Sequence, residues 1–128
     1  MKINDLKEAF AEKANADNAQ HMAKYMRNQF VFYGLKTPER KNAYHQFLKD
    51  EKKKKQIDWD RLDQAWNDEH REMQYFVYDY LLAMKKYVSY DDLFRIEHYV
   101  RTKQWWDTID SLMKIYGYVG LKDKRVDN

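Results

Sequence analysis

Three glycines and one proline interrupt 128 residues, and an alternating, strand-like pattern is nowhere sustained. A chain with so few turn-formers is expected to be helical along most of its length, which makes the fold class all-α. Ile3, Leu6 and Phe10 open an amphipathic helix, and after a break at 15–18 a second stripe runs through Ala19, Met22, Ala23, Met26 and Phe30. A loop over 32–36 ends at Thr37-Pro38, where the threonine is expected to cap a third helix and proline suits its first position. That helix carries Ala43, Tyr44, Phe47 and Leu48 inward and is expected to dissolve in the like-charged run 52–55. Asp58 is expected to cap a short helix holding Leu62, Ala65 and Trp66, with a turn at Asn67-Asp68. The clearest helix follows, with Met73, Phe76, Val77, Tyr80, Leu81 and Met84 at helical offsets. Ser89 then caps a helix with Leu93, Ile96 and Val100 inside, and a last helix is expected from Thr102 with Trp105, Ile109, Leu112, Met113 and Tyr116 inward. Short helices with one apolar face each, joined by short turns, suit a layered stack of helical pairs.

Bulk properties narrow the function classes. With 44% hydrophobic residues, residues 1–128 suffice for one core, so a single domain is expected. A net charge of +3 attracts a polyanion only weakly, so any basic face must be local. The absence of cysteine removes disulfides, thiolate metal sites and cysteine nucleophiles, and suits a reducing cytoplasm. Charged residues occupy every turn of 1–10, unlike a secretory signal, and the most apolar stretch, 30–35, is far too short to span a bilayer.

Few constellations carry chemistry. His21, His45, His70 and His98 stand singly, so no metal site is expected, and the glycines Gly34, Gly117 and Gly120 make no phosphate loop. Ser89 and Ser111 lack the setting of a nucleophile. The tyrosines, of which Tyr80 and Tyr116 lie on inward stripes, are assigned to packing before base stacking. Trp106 and Asp110, four apart, place an indole and a carboxylate side by side at the rim of the last helix. Indole quadrupole and carboxylate charge both favour a cation. Spacing alone leaves open a second reading, in which Trp106 packs and Asp110 is solvated. Asp107 is explained by the positive end of the helix dipole.

Three collinear segments narrow the choice. Tyr25-Met26-Arg27-Asn28-Gln29-Phe30-Val31-Phe32-Tyr33-Gly34-Leu35-Lys36-Thr37-Pro38-Glu39-Arg40 resembles the N-terminal signature of the AlkD-type alkylpurine DNA glycosylases. Arg71-Glu72-Met73-Gln74-Tyr75-Phe76 to Asp79-Tyr80-Leu81 is similar to that family's middle helix, and Thr102-Lys103-Gln104-Trp105-Trp106-Asp107-Thr108-Ile109-Asp110 to its Trp-Trp-Asp segment. The resemblance implies a HEAT-like superhelix, here about seven helices corresponding to the N-terminal half of the family fold. It implies removal of N3- and N7-alkylated purines from double-stranded DNA, with no cofactor and without turning the lesion into a deep pocket. By the same resemblance Asp110 matches the catalytic carboxylate and Trp106 the tryptophan beside the deoxyribose. Tyr25 and Lys36 match positions near DNA, and Arg40, Lys103 and Trp105 join them as expected DNA contacts. Family members place a further tryptophan and phosphate-binding arginines in helices beyond Gly117. The solenoid end they would cover is expected to pair with a second copy or with the rest of a longer chain. The alternative is a non-catalytic helical-repeat module that binds DNA or a protein partner.

Overall fold

The computed structural model describes residues 2–122, and within them seven α-helices follow one another: α1 (Ile3–Glu12), α2 (Ala16–Tyr25), α3 (Thr37–Lys54), α4 (Trp59–Trp66), α5 (Arg71–Ala83), α6 (Leu93–Arg101) and α7 (Trp106–Lys122). Among the described residues the β-pairing is limited to an isolated bridge between Val31 and His70. No helix described is long and apolar enough to cross a membrane. The helices stack in two layers. α3, α5 and α7 pack side by side, α1 packs on α4, and the pairs α1/α3, α4/α5 and α6/α7 close the space between the layers. This is an all-α, HEAT-like helical-repeat arrangement. One apolar core runs through it from Ile3, Leu6 and Phe10 to Leu112, Ile115 and Val119.

α5 sits at the centre, and its sequence says why: residues 71–77 are all buried, so every face of its first two turns meets protein. α4 approaches it through Leu62, Ala65 and Trp66, and the Trp66 indole donates to Thr102 Oγ1 at 2.8 Å. Asp58 caps α4 by accepting from the Arg61 amide.

Several sequence expectations are corrected. α2 ends at Tyr25, so Phe30 lies beyond the helix in the following loop, where its ring meets Trp105 edge-on. Thr37 is the first residue of α3 and not its cap; Lys36 holds the cap position without a side-chain bond. The lysine run stays helical through Lys54, because cations suit a helix C-terminus and Lys54 pairs with buried Glu51 at 2.7 Å. Ser89 caps a single 3₁₀ turn at Tyr90–Asp92 that leads into α6, whose buried residues are Leu93, Ile96 and Tyr99. Thr102 closes α6, and α7 starts only at Trp106. The buried stripe of α7 is Thr108, Leu112, Ile115 and Val119, while Met113 is exposed and Trp105, Ile109 and Tyr116 are half-buried. Phe94, Met113 and Leu121 leave apolar surface open on the last helix pair.

The loop between α2 and α3 is held from both sides. Glu72, fully buried at the start of α5, accepts from three consecutive amides, Tyr33 at 3.0 Å, Gly34 at 2.9 Å and Leu35 at 3.2 Å. Gly34 takes φ +99°, and a Cβ there would stand 2.1 Å from the Asn15 carbonyl oxygen and 2.8 Å from the Ala19 nitrogen. Both neighbours are backbone and cannot turn aside. Gly34→Ala is therefore expected to destabilise the fold by more than about 2 kcal/mol, read as a lower urea midpoint; an unchanged midpoint would refute the close approach.

Candidate functional site

Five pieces of chain converge on the edge of the α3–α5–α7 layer to form a cleft of about 430 Å³. α2 supplies His21, Met22 and Tyr25; the loop after it Met26 and Phe32; α3 Thr37 and Arg40; α5 Tyr75 and Tyr78; and α7 Trp106 and Asp107. Tyr25, the last residue of α2, and Trp106, the first of α7, stand at the mouth, 70% and 56% exposed, with ring centroids 6.3 Å apart in an edge-on arrangement. Exposed aromatic rings facing each other at a helix end and a helix start offer an apolar wall to a flat or cyclic ligand.

The floor is ionic. Arg71 is fully buried, and four of its five N–H groups are used: two donate to Asp107, at 2.6 Å and 3.4 Å, one to the Lys103 carbonyl at 2.9 Å and one to Thr108 Oγ1 at 3.0 Å. The Phe30 ring lies 3.8 Å from its guanidinium carbon. Asp107 also accepts from Tyr75 Oη at 2.5 Å. Burial, and after it the hydrogen bond to Asp107, keeps the Tyr75 phenol protonated well above the ordinary tyrosine range. The dipole explanation of Asp107 is thus incomplete: it sits in the first turn of α7, but its principal partner is an arginine two helices away.

The sequence-derived residues fall into three places. Trp106 and Tyr25 share the cleft mouth. Asp110 stands one turn beyond Trp106 on the exposed face of α7, outside the residues that line the cleft. It has no ion-pair partner among the described residues. Arg40 lines the cleft but is 4% exposed, lies over the Tyr75 ring at 4.7 Å, donates to Tyr44 Oη at 3.1 Å and pairs with Asp79 at 3.6 Å. Its charge is consumed inside the protein. Lys36 is exposed beside the cleft in a shallow concavity that shares His21, Met22 and Thr37 with it.

Lys103 and Trp105 open on a second groove, of about 620 Å³, with Gln29, Phe30, Val31, Asn67, Glu69 and Gln104. Lys103 Nζ donates to the Asp68 carbonyl at 2.5 Å, and burial lowers its pKa from the ordinary lysine value. The adjacent tryptophans thus serve different grooves. Arg71, Tyr75, Tyr78 and Glu72 were not singled out from the sequence. No local signal marks them, because Arg71, Glu72 and Gln74 read as an ordinary polar face of α5 and their burial shows only in the fold.

Residues 6–127 match the family model described as DNA alkylation repair enzyme. Among solved structures, a predicted DNA alkylation repair enzyme from Enterococcus faecalis is similar, with 30% identity and a TM-score of 0.75 over 85% of this chain and 52% of that one. The chain therefore spans about half the length of that structure. No curated protein matches.

One outcome tests the floor and a second tests the buried tyrosines elsewhere in the core. Asp107→Asn leaves a fully buried guanidinium without its counter-ion, and is expected to cost about 3 kcal/mol or more, measured by chemical denaturation; a loss under about 1 kcal/mol, the range of exposed pairs, contradicts the geometry. Burial, then the charges of Asp68 and Glu72, pushes the Tyr33 phenol up to about 12. Burial is also the largest effect on Tyr80, which reaches about 12 beside Glu51. In the unfolded chain both ionise near pH 10, so between pH 10 and 12 unfolding releases protons and stability falls as pH rises. Thermal melts followed by circular dichroism are expected to drop steeply above pH 10, and a flat profile there excludes buried, protonated tyrosines.

Proposed function

The chain belongs to the DNA alkylation repair enzyme family, and on that footing we propose that it acts on duplex DNA as an alkylpurine glycosylase, removing N3- and N7-alkylated purines. The observation that carries this reading is the pairing of an exposed indole, Trp106, with a carboxylate one turn on, Asp110, which lacks an ion-pair partner among the described residues.

An alkylated purine is already cationic. When the C1′–N9 bond breaks, its electron pair leaves with the purine and neutralises it, and positive charge develops on the deoxyribose as an oxocarbenium. A water oxygen then bonds to C1′ and gives a proton to solvent. The protein has little bond-making to do; its task is to hold the strand and to stabilise that charge. Trp106 packs against the sugar, and Asp110 faces the charge. At about 4 Å and an effective dielectric near 20, one such pair contributes roughly 4 kcal/mol, which is about a thousandfold in rate if felt only in the transition state. Asp107 cannot do this work, because Arg71 already neutralises it. Tyr25 forms the opposite wall of the cleft, and Lys36 supplies a cation beside it for the phosphate backbone.

A second reading, favoured by the position of Asp110 outside the residues that line the cleft, is a non-catalytic helical-repeat module that binds DNA or a protein partner. Release of N7-methylguanine from methylated duplex DNA separates the two. Under the glycosylase reading the native chain releases base and Asp110→Asn is about a thousandfold slower. Equal rates remove Asp110 from the chemistry, and DNA binding with no release from either protein leaves the module.

A further inference from the structure

Arg27 occupies the tip between α2 and the loop that Glu72 holds. Past Tyr25 the chain reverses tightly: the Met26 and Asn28 amides both donate to the Ala23 carbonyl, at 3.1 Å and 2.7 Å, and the Arg27 amide to Lys24 at 3.0 Å. Two consecutive residues, Arg27 at φ 56° and Asn28 at φ 57°, sit in the left-handed region. Asparagine tolerates that conformation, whereas an arginine there is strained and glycine is the usual occupant after a helix C-terminus. The backbone alone gives no reason for an arginine.

Its side chain is also set apart by charge. Arg40, Arg61, Arg71, Arg95 and Arg101 each pair with a carboxylate. Arg27 is exposed and, alone of the described arginines, has no ion pair. Its position is specific as well. On one side Tyr25 and Met26 line the Trp106 cleft; on the other Gln29 and Phe30 line the groove of Lys103 and Trp105. The tip is the ridge between the two concavities.

We propose that Arg27 is a DNA-phosphate contact, gripping the backbone where the strand passes over the ridge from the cleft to the second groove. This rests on the DNA-binding reading above and adds to the expected DNA contacts an exposed arginine thirteen positions before buried Arg40. A cation beyond the end of α2 also favours the helix dipole, a role Lys24 already fills in the last turn. The two roles differ in sign. If the dipole were the purpose, glycine at 27 would lower stability; if a strained backbone is tolerated for the sake of the side chain, glycine holds or raises it.

The test uses fluorescence anisotropy of a labelled duplex, titrated over salt, together with thermal melts, for the native chain, Arg27→Gly and Arg27→Lys. Arg27→Gly is expected to melt at or above the native temperature, to bind roughly eightfold more weakly near about 0.1 M salt and to lose about 0.9 from the slope of log affinity against log salt. Arg27→Lys is expected to keep the native slope. Native affinity and slope in Arg27→Gly, or a clearly lower melting temperature, overturn the proposal while leaving DNA binding intact. Failure of the native chain to bind duplex even at low salt overturns the DNA reading and this contact with it.

Discussion

Two oppositely charged residues buried side by side at the start of α5 organise the molecule. Taking a carboxylate and a guanidinium out of water costs several kcal/mol each unless every lone pair and N–H finds a partner. Neighbours in sequence, Arg71 and Glu72 do not pair with each other; they reach to different loops. Glu72 gathers the amides of Tyr33, Gly34 and Leu35, and Arg71 gathers the Lys103 carbonyl, Asp107 and Thr108. Each loop thereby gains polar partners that solvent would otherwise supply, and each ion gains the only environment in which it can be buried. The loop from α2 to α3 and the start of α7 are fixed to one turn of one helix.

The cleft follows from that double attachment. Trp106 is adjacent to Asp107, and Tyr25 precedes the loop held by Glu72, so the facing aromatics at the mouth are anchored by two buried ions as well as by their own edge-on contact. The rings of Phe30, Tyr33 and Tyr75 reinforce it: Phe30 covers the Arg71 guanidinium, Tyr33 stacks on His70 with centroids 3.7 Å apart, and Tyr75 binds Asp107. Tyrosine suits position 75 because its ring fills apolar space while its hydroxyl meets a carboxylate, as Tyr44 does with Asp79 and Tyr99 with Asp63 at 2.5 Å.

Much of the fold was legible because most helices bury one clean stripe. α1, α4 and α5 follow their apolar spacing, and the order of the elements follows from the rarity of glycine and proline. α7 was not legible in phase. Its segment carries apolar residues on more than one face, so Trp105, Ile109, Leu112, Met113 and Tyr116 make as good a stripe as Leu112, Ile115 and Val119. What decides is Thr108, a hydroxyl that reads as polar but is buried because Arg71 donates to it. The loop position of Phe30 and the burial of Arg40 went unread for the same reason. Periodicity reads transfer free energy residue by residue, whereas a buried ion recruits partners from elements far apart in sequence, and that recruitment leaves no local pattern. The Trp106–Asp110 adjacency was legible because it is set by helix geometry alone.

α7 presents two carboxylates within its first two turns, and their surroundings separate their chemistry. Asp107 receives three donors, two from a fully buried guanidinium and one from a phenol, so its charge is spent before any ligand arrives. Asp110 is exposed and has no ion-pair partner among the described residues. A group that is to stabilise a transient positive charge must be unpaired in the resting state, since a pre-existing partner has to be displaced or shared when the charge forms. Under the proposed glycosylase reading, water screens Asp110 in the free protein, and a strand laid against Trp106 would displace that water and strengthen the field of the carboxylate where a sugar faces it. The buried ion pair and the exposed acid are therefore complementary: one fixes where the helix starts and which way it faces, and the other is the carboxylate on which the proposed reading relies.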